Sequence, residues 1–258
     1  MAAPTPVSSL VHSSTLVTAG VYLLIRFSEM LSNFNCSFIL ALSMMTMFMA
    51  GLGANLEFDL RRIIALSTLR QLGLMMSILF LGYPILSFLH LLTHAFFKAL
   101  LFLCAGVMIH CMNDSQDIRY MGAMTSYLPF TCTCFCISNM SLCGLPFMSG
   151  FYSKDLILEA ITGSGYNFFV FLIFFVSIGL TVSYTFRVIY YVMFYNVNMH
   201  VCHGYGEDKI MMKSIIVLAL LAISGGRMLR WLIFSVPELF VLPLHLKLMP
   251  LVFIFLGG

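Results

Sequence analysis

Residues 85–110 read ILSFLHLLTHAFFKALLFLCAGVMIH, an apolar run with two histidines and a lysine, His90, His94 and Lys98, spaced four apart. At about 1.5 Å of rise per residue such a run is long enough to cross the roughly 30 Å hydrocarbon core of a bilayer as one helix. Steps of four advance a residue only about 40° around a helix and about 6 Å along it. The three groups therefore share one stripe about 12 Å long. An intramembrane ionisable group is costly, roughly 2.5–3.5 kcal/mol on insertion scales, and commonly marks an ion path. Histidine titrates near neutrality, and a lysine taken out of water yields its proton more easily. The blander reading, satisfied core histidines and a lysine snorkelling to the interface, fits one such residue better than three. Lys98 also lies too near the middle of the run to reach an interface.

Outward from this stretch the pattern repeats. Of 258 residues 61% are apolar and 9% charged, and the mean hydropathy is +1.01; soluble chains carry about 25% charge. Further apolar runs cover roughly 5–27, 37–56, 62–82, 126–160, 166–194, 212–229 and 231–256. The expected fold class is an all-α polytopic membrane bundle of about eight spans. The run 126–160 exceeds one plain span and carries Gly144, Pro146 and Gly150 near its middle. That composition predicts a discontinuous helix, whose freed backbone groups face protein or water. Directly after it come Phe151-Tyr152-Ser153-Lys154-Asp155, an amine and a carboxylate beside the break. Asp155 is expected either to stabilise the amine or to cap the second half-helix. The sequence Gly225-Gly226-Arg227 through Arg230 predicts a tight turn between the last two spans.

In the first run, His12 is flanked by Ser13, Ser14, Thr15 and Thr18, whose hydroxyls can orient a ring or a water. Loops holding Arg61, Arg62, Arg119, Lys209 and Lys213 fall on one side if the spans alternate, which by the positive-inside rule faces cytoplasm or matrix. The net charge is only +3, with the basic residues scattered singly, so nucleic acid is not an expected partner. Eight cysteines form no CxxC. Cys132, Cys134 and Cys136, two apart on a helix, diverge and cannot share a metal; His200, Cys202 and His203 lack a fourth ligand nearby. No phosphate-binding loop, haem attachment sequence or iron–sulfur spacing is present. The chain is expected to bring no cofactor of its own, and Met1 leads into Ala2-Ala3-Pro4-Thr5-Pro6 without the basic start of a secretory signal.

Four blocks carry a resemblance: Pro4-Thr5-Pro6-Val7-Ser8 through Gly20, Ile64-Ala65-Leu66-Ser67-Thr68-Leu69, His90 through Phe102, and Phe151 through Asp155. Together they resemble, over essentially the whole chain, the antiporter-like membrane-arm subunits of respiratory complex I, in an arthropod-like mitochondrial form. The resemblance implies inverted five-helix repeats, each with a broken helix, joined by a central file of Lys and His. On it, residues 1–27 are the last helix of a first repeat, 28–195 a second repeat broken near 144–150, and 196–258 C-terminal spans cut short. It implies that His12, His90, His94 and Lys98 belong to the central file, and that Lys154 with Asp155 forms the terminal site toward the intermembrane space. The implied function is proton translocation across the inner mitochondrial membrane, coupled to NADH:ubiquinone oxidoreduction in other subunits, which hold FMN, iron–sulfur clusters and ubiquinone. The implied partners are other membrane-arm subunits, notably the neighbouring antiporter-like one, and a lipid such as cardiolipin. An Mrp-type cation/proton antiporter subunit shares the blocks around His90 and Lys154. A structural membrane-arm element without transport is the third reading.

The resemblance departs at Arg70, where the family has Ser. Arg70, Arg227 and Arg230 fall in or beside spans without visible acidic partners, and the chain has one Trp. Both features are expected if a mitochondrial transcript was read with the standard code, in which AGA gives Arg rather than Ser and UGA a stop rather than Trp. On that reading all three arginines are Ser, and chain precedes Met1 and follows Gly258.

Overall fold

The computed structural model describes residues 7, 15–31, 34–164, 168–196, 207, 209–234 and 242–257. Its main helices are α1 (Leu16–Arg26), α2 (Ser37–Leu56), α3 (Leu60–Phe80), α4 (Pro84–Cys111), α5 (Pro129–Cys143), α6 (Ser149–Gly163), α7 (Phe168–Ile189), α8 (Lys209–Ile233) and α9 (Leu244–Gly257). Among the described residues no strand forms; Asp59 and Asp117 make one isolated antiparallel bridge. Five helical segments, Ser37–Leu56, Leu60–Phe80, Pro84–Cys111, Phe168–Phe194 and Met211–Ile233, are long and apolar enough to cross a membrane. Helix is the economical form for them, because in lipid every backbone polar group needs a partner within its own segment.

Small polar residues in these helices turn their hydroxyls back onto their own backbone. Ser67 donates to the Ile64 carbonyl at 2.7 Å, Ser77 to Leu74 at 2.8 Å, Ser138 to Phe135 at 2.7 Å and Thr181 to Ile178 at 2.6 Å. The hydroxyl is thereby satisfied without water. Pro84 and Pro129 stand at the first turns of α4 and α5, where the missing N–H costs no bond. The end of α7 widens into a π-helical turn over Tyr190–Phe194.

α4 lies inside the bundle, packed against α1, α3, α5, α6 and α8, while α2 packs on α3, α7 packs on α2 and α5, and α9 lies on α6 and α7. The largest apolar cluster joins Phe97, Leu100, Leu101, Phe102 and Met108 of α4 to Leu60 and Ile63 of α3, Cys132 and Phe135 of α5 and Ala222 of α8. A second cluster fills the other end with Leu86 and Leu89 of α4, Leu74 and Ile78 of α3, and Ile157 and Ile161 of α6. The hydrophobic layers thus seal both ends of the ionisable stripe.

One expectation is corrected. No turn occurs at Gly225–Arg230: α8 continues unbroken to Ile233 and the next helix starts at Leu244. The two glycines serve helix contact instead. A Cβ on Gly226 would stand 2.5 Å from the Ser149 carbonyl oxygen, and one on Gly225 would stand 3.3 Å from the Phe96 ring. Close helix approach needs a residue without a side chain there.

Candidate functional site

The helix predicted over 126–160 ends at Cys143 and starts again at Ser149. Gly144 takes φ +82°, a left-handed value that suits glycine, and its N–H and that of Leu145 both return to the Met140 carbonyl at 3.2 Å. This closure still leaves carbonyls at the end of α5 open. The Lys154 amine supplies a donor to one of them, the Leu142 carbonyl. A cation at a helix C-terminus also meets the negative end of the helix dipole. Gly150 follows from the same geometry, since a Cβ on it would collide with the Ser141 carbonyl.

The three stripe residues of α4 all point inward: His90, His94 and Lys98 are 0% exposed, and Lys154 is 7% exposed. Lys98 donates to the Ser67 hydroxyl of α3. His90 sits between two helices, with Nδ1 2.9 Å from the Ser153 hydroxyl of α6 and Nε2 3.1 Å from the Gln71 side-chain amide of α3. Thr93 donates to the same Ser153 hydroxyl at 3.1 Å. His94 lies between the two ends, its ring 6.4 Å from that of His90 and edge-on to Phe97 at 5.4 Å. Neither nitrogen of His94 has a partner among the described residues.

Among the described residues no ion pair joins Asp155 to Lys154; successive helical residues point about 100° apart. Both nevertheless line one small cavity with Arg70, Cys143, Gly144 and Pro250, of about 20 Å³, enough for a single water. Glu159 of α6 pairs with Lys247 at 3.6 Å. His12 lies outside the described residues, as do His200, Cys202 and His203. Among the described residues no three His, Cys, Asp or Glu side chains gather as a metal site.

Arg70 is fully buried and finds neutral partners: it donates to the Ser177 carbonyl at 2.7 Å and lies 3.4 Å from the Ser177 hydroxyl. No carboxylate meets it among the described ion pairs. Sequence reasoning missed Ser67, Gln71 and Ser153, which hold the ionisable groups. The available signal was uncharged: Ser67 and Gln71 are four apart inside an apolar run, so they share a face.

An all-helical bundle that encloses ionisable side chains in apolar surroundings defines a polytopic membrane protein, and the chain belongs to the NADH:quinone oxidoreductase/Mrp antiporter transmembrane family, whose model matches residues 1–181. Residues 184–258 match the model of the NADH dehydrogenase subunit 5 C-terminus. Among curated relatives, NADH-ubiquinone oxidoreductase chain 5 of Locusta migratoria is 58% identical over the whole chain, and that of Aedes aegypti 59%. The earthworm Lumbricus terrestris protein of the same name is 45% identical, again over the whole chain. The chain spans 46%, 45% and 45% of these three proteins. The fold is similar to that in the Mrp complex from Dietzia sp. DQ12-45-1b, with TM-score 0.83 and 23% identity over 99% of this chain and 30% of that one.

Proposed function

We propose that this chain forms part of the proton-translocating membrane arm of respiratory complex I in the inner mitochondrial membrane, as one section of its chain 5. The observation that carries this reading is the buried lane from Ser67 and Lys98 past His94 and His90 to Gln71 and Lys154. Four ionisable groups enclosed together, with no carboxylate paired to any of them among the described residues, form a poor structural device. They suit a role in which protons are taken up and released one at a time. The lane follows α4 from Lys98 to His90, crosses to α3 at Gln71 and reaches Lys154 on α6.

The helices α5 and α6 act on this reading as halves of one interrupted span. The break brings a lysine and a water-sized cavity together in the bundle interior. Lys154 is the exchange point with the aqueous phase, and Asp155, which lines the same cavity, is the carboxylate that receives a proton. His12 extends the file on the first helix. Oxidation of NADH and reduction of ubiquinone belong to other subunits, so the partners are the remaining membrane-arm subunits, the adjacent antiporter-like one first, with cardiolipin-type lipid at the outer faces. The Mrp-type reading shares the fold and differs in requiring sodium-dependent transport.

The test is Lys98→Ala and Lys154→Ala in the intact complex, reconstituted in sealed vesicles. Each variant is expected to assemble and oxidise NADH while pumping fewer protons per electron. Normal proton-to-electron ratios in both would remove the assignment.

A further inference from the structure

We propose that the Tyr184 hydroxyl of α7 is a member of the proton path, joining Ser67 and Lys98 to Lys154, and that the side chain at position 70 opens or closes this link. The inference rests on the proton-path reading above and adds a route between two of its members. Tyr184 is 2% exposed, and its hydroxyl completes no hydrogen bond among the described residues. The side chains it faces are Ser67 and Arg70 of α3, with Cys143 of α5 beside them. A buried hydroxyl without a partner is costly. Phenylalanine would fill the place of the ring without that cost, so packing alone does not account for a tyrosine here.

The link begins at Ser67. Its oxygen accepts from the Lys98 amine, while its own proton is turned to the Ile64 carbonyl at 2.7 Å. Turned to Tyr184 instead, that proton continues the path away from Lys98. By contrast His94, one turn from Lys98 along α4, has no partner at either ring nitrogen among the described residues and stands edge-on to Phe97. The polar contact that Lys98 makes thus leads to α3 and from there to α7, not along α4.

Beyond Tyr184 stands Arg70. It donates to the Ser177 carbonyl at 2.7 Å. In the amide orientation that satisfies its neighbours, the Gln71 oxygen accepts from Arg70 at 3.2 Å and from Lys154 at 3.3 Å. The guanidinium therefore lies between Tyr184 and Lys154, and it lines the small cavity shared by Lys154, Cys143 and Asp155. A guanidinium keeps its protons and repels a proton arriving beside it, so arginine closes the link. Serine at 70 frees the room of roughly two or three waters, at about 30 Å³ each. The Ser177 carbonyl, the Gln71 amide and the Tyr184 hydroxyl remain to hold them, and a buried water needs two to four such partners. One passage then moves a proton from the Lys98 ammonium to Ser67, the proton of Ser67 to Tyr184, that of Tyr184 to the nearest water, and a water proton to the neutral Lys154 amine. Lys98 ends neutral and Lys154 charged, and the hydroxyls and waters end as they began.

The test uses the intact complex in sealed vesicles and reads protons per electron. The Arg70 form and the Arg70→Ser form are compared, each with and without Tyr184→Phe, alongside Lys154→Ala in the Arg70→Ser form. In the Arg70→Ser form, Tyr184→Phe is expected to lower the ratio as far as Lys154→Ala does, because both cut one path. In the Arg70 form the ratio is expected to stand at that lower value already, with no further loss from Tyr184→Phe. A merely structural tyrosine lowers the ratio in both forms or in neither, and either result overturns the link. Equal ratios in the Arg70 and Arg70→Ser forms likewise overturn it. Loss of pumping in Lys154→Ala with a normal ratio in Tyr184→Phe overturns the link and leaves the path standing. Normal pumping in Lys154→Ala overturns the path, and the link with it. If Tyr184→Phe fails to assemble, Ser67→Ala, which removes the other hydroxyl of the link, decides on the same comparison of the two forms.

Discussion

The guanidinium of Arg187, near the end of α7, donates to the carbonyl of Ala54 in the last turn of α2 at 3.0 Å. It also donates to the carbonyls of Asn55 and Glu57, and its carbon lies 5.5 Å from the centre of the Phe58 ring. One planar side chain thereby satisfies several of the carbonyls that a helix end leaves open. Arg187→Ala is expected to destabilise the bundle by about 1–3 kcal/mol, with Arg187→Lys recovering only part, since a single amine lacks the planar fork. Thermal unfolding of the detergent-solubilised complex checks the order: unaltered, then lysine, then alanine.

Glu207 performs the matching service at the other pole of a helix. Its carboxylate accepts from the Phe130 and Thr131 N–H groups, each at 3.0 Å, at the start of α5. An acceptor there meets orphan donors and the positive end of the helix dipole. Glu207→Ala is expected to cost about 1 kcal/mol and to speed hydrogen exchange at Phe130 and Thr131, with Glu207→Gln falling between. Unchanged exchange at both amides would show the cap to be dispensable.

The approach of Gly150 to the Ser141 carbonyl leaves no room for a side chain. Gly150→Val is therefore expected to force α5 and α6 apart and to displace Lys154 from the Leu142 carbonyl. Loss of several kcal/mol is the scale for such overpacking combined with a broken buried bond. Complex assembly on native gels gives the readout, and normal assembly with normal pumping would contradict the packing described.

Arg70 holds a full charge inside the bundle with a carbonyl and a hydroxyl as partners. A serine at this position can instead bond back to its own helix, as Ser67 and Ser77 do. The protein made in mitochondria is expected to carry Ser at 70, 227 and 230, and peptide mass spectrometry of the isolated complex reads this directly. Arginine masses at those positions would refute it.

The sequence by itself determined the membrane class, most helix positions and the stripe on α4. These depend on run length and on a period of four, properties carried within one segment. The helix ends at Cys143 and Ser149 fall in a stretch where glycine and proline act on their own backbone. The tertiary structure alone decided what the ionisable groups touch. Ser67, Gln71 and Ser153 reach Lys98 and His90 from helices 19 to 63 residues away along the chain, and no local pattern records such a distance. It also decided Gly225 and Gly226, which a local reading makes a turn and which the surfaces of Phe96 and Ser149 make a contact. A glycine permits both, and only the neighbouring helix selects between them. The surroundings of Lys154 have the same origin: Asp155, its neighbour in sequence, lines the same cavity without pairing to it among the described residues, while the fold brings the end of α5 onto the lysine.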